Sequence, residues 1–296
     1  MKYAWMDVQR THDTLDEMGA VLAVSARGDR AWKQGGTPDR MRLTDAQMLG
    51  WIRAIHAALK GAYGSPSMVR ELRGRGVPAS KERVERLMRE HGIRGRHKRR
   101  VHRHDGLDAH PAGGRNLLKW DVTPSAQNQT WTSDLTYRWT GEGWLYLGIV
   151  LDQFNREVVG WSLQPRMTAD IVMGAPTMAW FRRKPAVGLL HHSDRGSQYA
   201  SQLFQDKLKA YGMEGSMSRK RNCWDHAPTE SGCNGFKNER VHGLRDATRA
   251  AMTAASVEYI EVFDNRTRRH STLGYLSPMP CLDAWRLAQH KDNLVA

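Results

Sequence analysis

Cysteine is scarce in this chain: three residues in 296, Cys223, Cys233 and Cys281, with no Cys-x-x-Cys pair. A structural zinc module needs such pairs and a secreted scaffold needs several bridges, so neither is expected. Long apolar runs are also missing. The opening MKYAWMDVQR has nothing like the roughly 7 to 15 apolar residues of a secretory leader, and no stretch approaches the about 20 that cross a bilayer. The expectation is a cytoplasmic protein without a membrane span. Acidic residues are few, 31 Asp plus Glu against 45 Lys plus Arg, giving a net charge of +14. That imbalance favours a polyanionic partner, with nucleic acid leading, through phosphate neutralisation and counterion release. What is present is the composition of a folded protein: 40% hydrophobic residues, 26% charged and eleven Trp, over a length that suits two or three domains.

Residues 1–40 carry a short helical pattern through Leu15, Met18, Val21 and Leu22 and read as a helical arm. In residues 41–93, Thr44 caps a helix with Met48, Trp51, Ile52, Ile55 and Leu59 on one face. A second helix opens at Ser65-Pro66, and a third is capped by Ser80. Val84, Leu87 and Met88 turn the third helix inward, which leaves Lys81, Arg83, Arg86 and Arg89 to project as a recognition helix would. A plain three-helix bundle with solvated arginines is the competing reading. Residues 94–125 form a basic linker. Arg94, Arg96, Lys98, Arg99, Arg100 and Arg103 repel one another, so the run should stay extended until phosphates neutralise it.

The second half changes character. TWTSDLTY (130–137) alternates with period two, WLYLGIVLD (144–152) is a buried apolar run, and EVVGWSL (157–163) follows a turn, so an antiparallel meander is expected. A helix over about 168–182, a strand at 188–193, a helix over 198–211, a strand near 213–217 and a helix from Pro228 complete the order. This is the order of a ribonuclease H-like α/β core, a mixed five-stranded sheet with flanking helices over residues 126–245. Residues 246–296 form a C-terminal helical extension.

Three acids occupy positions that suit phosphodiester chemistry. Asp134 lies within the first strand, where a carboxylate is costly unless something pairs with it; Asp194 follows the short strand ending at Ser193, and Glu230 falls in a helix's first turn. Hard oxygen donors suit Mg²⁺ or Mn²⁺, and phosphodiester cleavage gains most from such ions, two of them where both oxygens of the displacement are stabilised. Any one of these acids alone reads as a cap or a surface charge.

WTSDLTY around Asp134, HSDRGSQY (192–199), NCWDHAPTES (222–231) and RRHSTLGYLSP (268–278) together resemble the second-frame (OrfB) transposases of the insertion-sequence three family. Their core is similar to that of retroviral integrases, and YGSPSMVRELRGRGV and SKERVERLMREHGIRGRHKRR resemble the family's helix-turn-helix segment. The resemblance implies that Asp134, Asp194 and Glu230 bind the metal and catalyse donor-strand cleavage and strand transfer. It makes Lys237 a residue that approaches the DNA backbone, and it casts His192, Ser193, Arg195 and Gly196 as the shapers of the second acid's loop, with His192 read as packing. The implied partners are the element's ends, target DNA, further copies of the chain, and the first-frame DNA-binding protein or a frameshift fusion with it. The last follows because this chain lacks a leucine-zipper run. Gly232 and Cys233 depart from the family's large aromatic or apolar pair, which predicts weak packing under Glu230. An impaired copy acting as a DNA-binding regulator is the alternative.

Overall fold

The computed structural model describes residues 2–9, 14–33, 43–96, 116–118, 124–218, 229, 232–233, 235–241 and 248–295. Three short helices come first, α1 (Lys2–Gln9), α2 (Leu15–Leu22) and α3 (Ala26–Lys33). The arm therefore holds two helices, α1 and α3, that periodicity did not signal.

The next unit is α4 (Asp45–Ala58), α5 (Ser65–Gly74) and α6 (Lys81–Glu90). Thr44 and Gln47 form a reciprocal capping box at the start of α4, Pro66 occupies the first turn of α5, and the Ser80 hydroxyl accepts from Arg83 N–H at α6. Met48, Ile52, Ile55, Met68, Leu72, Val84, Leu87 and Met88 close into one buried cluster, as the i, i+3, i+4 pattern predicts.

The outward projection of α6 needs correcting in part. Lys81 and Arg89 are exposed. The Arg83 and Arg86 guanidinium groups, however, turn back to Asp45 at the start of α4, at 2.7 and 2.6 Å, and Arg83 also bonds the Leu43 carbonyl. The basic run also begins docked rather than loose. Arg96 N–H donates to the Gly61 carbonyl (2.8 Å), the Arg94 carbonyl meets His56 Nε2 (3.1 Å), and Gly95 passes so close to the Gly64 backbone that a Cβ would lie 2.7 Å from its nitrogen. Lys98, Arg99 and Arg100 lie outside the described residues.

The core is a five-stranded sheet ordered β3-β2-β1-β4-β5, from β1 (Thr130–Thr140), β2 (Gly143–Asp152), β3 (Val158–Gln164), β4 (Leu190–Ser193) and β5 (Glu214–Met217). The first three strands form the antiparallel meander, and β4 and β5 run parallel to β1. This is the expected mixed sheet of a ribonuclease H-like integrase core. Between β3 and β4 runs α7 (Ala169–Arg183), and between β4 and β5 lie α8 (Ser197–Ala200) and α9 (Gln202–Ala210). Sequence reading gave a single helix there; Ser201 interrupts it and caps α9 with its own hydroxyl.

One face of the sheet (Trp131, Val150, Val159) packs against Ile171, Val172, Ala175 and Ala179 of α7 and against Tyr199, Phe204 and Leu208. The approach is closest at Gly160, where a Cβ would stand 2.2 Å from the Ala175 carbonyl oxygen, so no larger residue fits. The other face (Leu145, Leu147, Ile149, Leu151) packs against Cys233 and Phe236, α10 (Arg249–Glu258) and the π-helical turn Tyr259–Asp264, before α11 (Pro278–Val295). No helix among the described residues is long and apolar enough to cross a membrane.

The helical unit and the core are joined by the C-terminal segment. Phe263 packs against both clusters, Arg269 N–H donates to Tyr63 Oη (2.9 Å), and Arg269 Nε bonds Glu71 at 2.6 Å. Burial pushes the Glu71 carboxyl up, but its bonds to Arg269 and Arg75 outweigh that and hold it below the ordinary value.

In β4, His191 is fully buried with Nε2 2.8 Å from Ser133 Oγ, and burial lowers its pKa from 6.5 to about 4. The folded state therefore excludes a proton that the unfolded chain binds between those values. Stability is undiminished above about pH 6.5 and falls as pH drops toward 4. Denaturant midpoints at pH 7 and pH 4 should show the parent losing about 3 kcal/mol more than His191→Gln over that interval; parallel losses would show that the imidazole is not the group responsible.

Candidate active site

Backbone pairing sets the position of the first two acids. β1 and β4 run parallel with Thr130 opposite Leu190, Trp131 opposite His191 and Thr132 opposite His192. Two residues further along each chain stand Asp134 and Asp194, at the same end of adjoining strands that are spaced about 4.8 Å apart. Asp134 lies opposite Ile149 on the other side of β1, and its Oδ1 accepts Leu135 N–H at 2.8 Å. Asp194 leaves the strand into a turn in which its Oδ1 accepts Gly196 N–H at 2.9 Å. A Cβ on Gly196 would sit 3.0 Å from that oxygen, so the tight approach favours glycine.

The turn is anchored from the side. Arg195 Nε donates to the Ser218 carbonyl (2.6 Å), and Ser218 N–H donates to the Ser193 carbonyl (3.0 Å). His192 Nδ1 meets Ser216 Oγ of β5 at 2.9 Å, which fits the packing role expected of it. Tyr199, fully buried one turn beyond, reports on both acids: burial raises its phenol well above the ordinary value, and Asp194, Asp134 and Cys233 add to the shift. The two carboxylates thus act on one small region.

Glu230 lies outside the described residues. Its neighbour Thr229 is buried, and its hydroxyl donates to Thr132 Oγ1 at 2.6 Å, on the strand face that also carries Asp134. Among the described residues no three His, Cys, Asp or Glu gather as metal ligands. Asp134 and Asp194 nonetheless bring hard oxygen donors to the same end of adjoining strands, a donor type that fits a divalent cation.

The weak packing expected under Glu230 falls on a residue outside the described ones; the described residues that follow it are well packed. Cys233 is 4% exposed and Phe236 6%, and both sit in the cluster against β2. The described positions from Gly232 onward are helical and end in a π-helical turn, Phe236–Val241. Lys237 projects from that turn, its Nζ 5.7 Å from the centroid of the Tyr137 ring.

Behind the turn lies a group of residues to which the sequence alone assigned no role. Arg268 grips Glu239 through Nε and Nη2 at 2.8 Å each, and Tyr259 Oη meets Glu239 at 3.1 Å. Burial alone would lower the Arg268 pKa, but Tyr259, Glu239 and Asp264 raise it, so the guanidinium stays charged. Gly235 leaves the room, since a Cβ there would come 3.1 Å from Tyr259 Oη and 3.2 Å from Arg268 Nη2. Asp152, a further acid at the end of β2, is engaged structurally. It is buried and accepts N–H bonds from Asn128 (2.8 Å) and Phe154 (3.0 Å); burial raises its pKa.

Comparison with known proteins gives three family matches: an integrase core domain over residues 124–223, an HTH-like domain over 42–101 and a second integrase core domain model over 230–280. The Transposase InsF for insertion sequence IS3A of Escherichia coli (strain K12) is 38% identical over 283 residues, covering 94% of this chain and 97% of that protein. The Insertion element IS600 uncharacterized 31 kDa protein of Shigella sonnei is 37% identical over 261 residues, covering 88% and 96%. Among solved structures, the catalytic core domain of BIV integrase covers 55% of this chain and 99% of its own at 17% identity and a TM-score of 0.40. The integrase of the simian T-cell lymphotropic virus intasome covers 78% and 74% at 14% identity and a TM-score of 0.46. Both are loose likenesses.

The Arg268–Glu239 pair makes a stability prediction. Arg268→Leu strands a part-buried carboxylate and should cost about 3 to 5 kcal/mol in denaturant unfolding, whereas Arg268→Leu with Glu239→Leu should recover most of the loss. A double variant as unstable as the single would show that the pair matters by shape rather than charge.

Proposed function

The chain belongs to the IS3 family of insertion-sequence transposases, with an integrase-type catalytic core and a helix-turn-helix-like unit acting on DNA, and on that premise we propose that Asp134, Asp194 and Glu230 are its catalytic, metal-binding triad. The reading rests above all on the β1–β4 register, which sets the first two acids at the same end of neighbouring strands. It is further supported by the Thr229–Thr132 bond, which ties the residue before Glu230 to the strand that carries Asp134.

Two Mg²⁺ or Mn²⁺ ions, when bound, supply activation of the attacking oxygen and stabilisation of the leaving one. The protein's part is positioning. The Leu135 and Gly196 amides hold one oxygen of Asp134 and of Asp194 and thereby fix where the other points. A water oxygen attacks phosphorus and releases a 3′-hydroxyl at the element's end. That hydroxyl then attacks a target phosphorus, joining the strands with release of the target's own 3′-hydroxyl, and no bond to the protein forms.

Residues 41–93 serve as the unit that binds the element's ends, ahead of the basic linker 94–125, the catalytic core 126–245 and the C-terminal extension 246–296, with residues 1–40 as an arm. Lys81, Arg83, Arg86 and Arg89 face the ends. Asp45 must yield Arg83 and Arg86 to DNA, which makes it a competitor for the bases or phosphates they would bind. Arg94, Arg96, Lys98, Arg99, Arg100 and Lys237 take phosphates. The working form is an assembly of several copies on DNA, joined by the first-frame protein or a fusion with it.

With Mg²⁺ and a supercoiled plasmid carrying the element's ends, Asp134→Asn and Asp194→Asn should abolish strand cleavage while end binding stays equal or tightens slightly, because a negative charge near phosphate is gone. Cleavage by either variant at the parent rate would overturn the assignment.

A further inference from the structure

The hairpin formed by the far ends of β1 and β2 carries a row of aromatic side chains that the catalytic reading does not use. Tyr137 lies opposite Tyr146 and Trp139 opposite Trp144, so all four share one face. Trp139 and Trp144 pack edge to face at 4.9 Å, and Tyr137 meets Trp144 in the same way at 5.3 Å. Such edge-to-face packing restrains the rings.

The first turn of α7 reaches the sheet at Gly148, where a Cβ would lie 3.1 Å from the Ile171 carbonyl, and Tyr146 beyond it still packs against the apolar cluster, whereas the other three rings are exposed. Trp139 is 54% exposed, Tyr137 52% and Trp144 42%. Three adjoining aromatics at that exposure form a patch rather than scattered surface residues.

Cations flank it on two sides, and the acid of the connecting turn, Glu142, accepts Arg249 N–H. Lys237 stands over Tyr137 on one side, and on the other Gln164 lies opposite Tyr146, with exposed Arg166 two residues on. Tyr137 is only three residues from Asp134 along β1, about 10 Å of strand. The pleat sends the two to opposite faces, yet Lys237 comes from the helical turn packed on Asp134's face and reaches the Tyr137 ring, so the edge of β1 beyond Thr132, where its pairing with β4 ends, links the acids to the aromatic row.

We propose that Tyr137, Trp139 and Trp144 form a stacking platform for unpaired DNA bases beside the cleaved bond, with Lys237 engaging the adjoining phosphate. The inference rests on the reading that DNA is cut at Asp134 and Asp194. A strand end produced there has a terminal base that lacks a stacking neighbour, and a fixed aromatic face serves any base because each has a π-surface. The positive rim fits a polyanion in a way that a second copy of this chain, itself at +14, does not match.

The test uses the full chain in a chelator, so that no cleavage occurs, with an end-containing duplex that is either blunt or carries a short single-stranded overhang containing 2-aminopurine. The parent should quench the fluorophore. Trp139→Leu with Trp144→Leu should abolish the quench and weaken overhang binding about ten-fold, while blunt-duplex binding is unchanged. Trp139→Tyr with Trp144→Tyr should restore both, and Tyr137→Leu alone should show a smaller loss, which guards against a misfolded double variant. Parent-like quench and affinity in the leucine variants would overturn the proposal. So would a loss of overhang binding that tracks loss of a dimer in sedimentation, since the row would then be covered by a second copy. Quenching by the parent alongside undiminished plasmid cleavage by Asp194→Asn would refute the catalytic assignment and leave the platform standing.

Discussion

Three residue pairs between β1 and the four-residue strand β4 carry more consequence than any other contact in the molecule. They fix a parallel register, and that register decides which side chains from chain positions sixty residues apart become neighbours. A slip of one residue would send Asp194 to the other side of the sheet. The buried Ser133–His191 bond guards against it, since that hydroxyl–imidazole contact exists in one register only, and His192–Ser216 does the same between β4 and β5. Asp134 and Asp194 are thereby brought to the same end of adjoining strands, near enough to the buried Tyr199 that both raise its phenol further above the ordinary value.

The second organising feature is the C-terminal segment, which does two jobs with adjacent arginines. Arg268 turns inward to Glu239 and steadies the π-helical turn packed on the sheet, while Arg269 turns outward to Glu71 of the helical unit. Tyr259 and Phe263 supply the apolar contacts alongside each. Cooperative docking of this kind explains how a helical turn with two glycines near its start is held by long-range contacts despite poor local propensity.

What could be read from the sequence was whatever is local. Period-two alternation marked β1, and the apolar run marked β2. Thr44, Pro66 and Ser80 marked the starts of α4 to α6, because caps act within one turn. Asp134 and Asp194 stood out as acids in or beside apolar strands. The helix α3, ARGDRAWK, escaped notice because its composition is mostly polar. The Thr229–Thr132 and Arg268–Glu239 bonds span 97 and 29 residues and leave no periodic trace. The hold of Asp45 on Arg83 and Arg86 across about forty positions was invisible for the same reason, and a reading of α6 in isolation aimed those side chains at solvent. The burial of Cys233 and Phe236 against the leucines of β2 was likewise not legible from residue sizes.

Phe263 belongs to the apolar clusters of both the helical unit and the sheet, and the Arg269–Glu71 bond lies next to it. The helical unit is thus seated on the core rather than suspended from residues 94–125. A duplex gripped by that unit would therefore be carried at a set offset from the end of the sheet at which Asp134 and Asp194 stand.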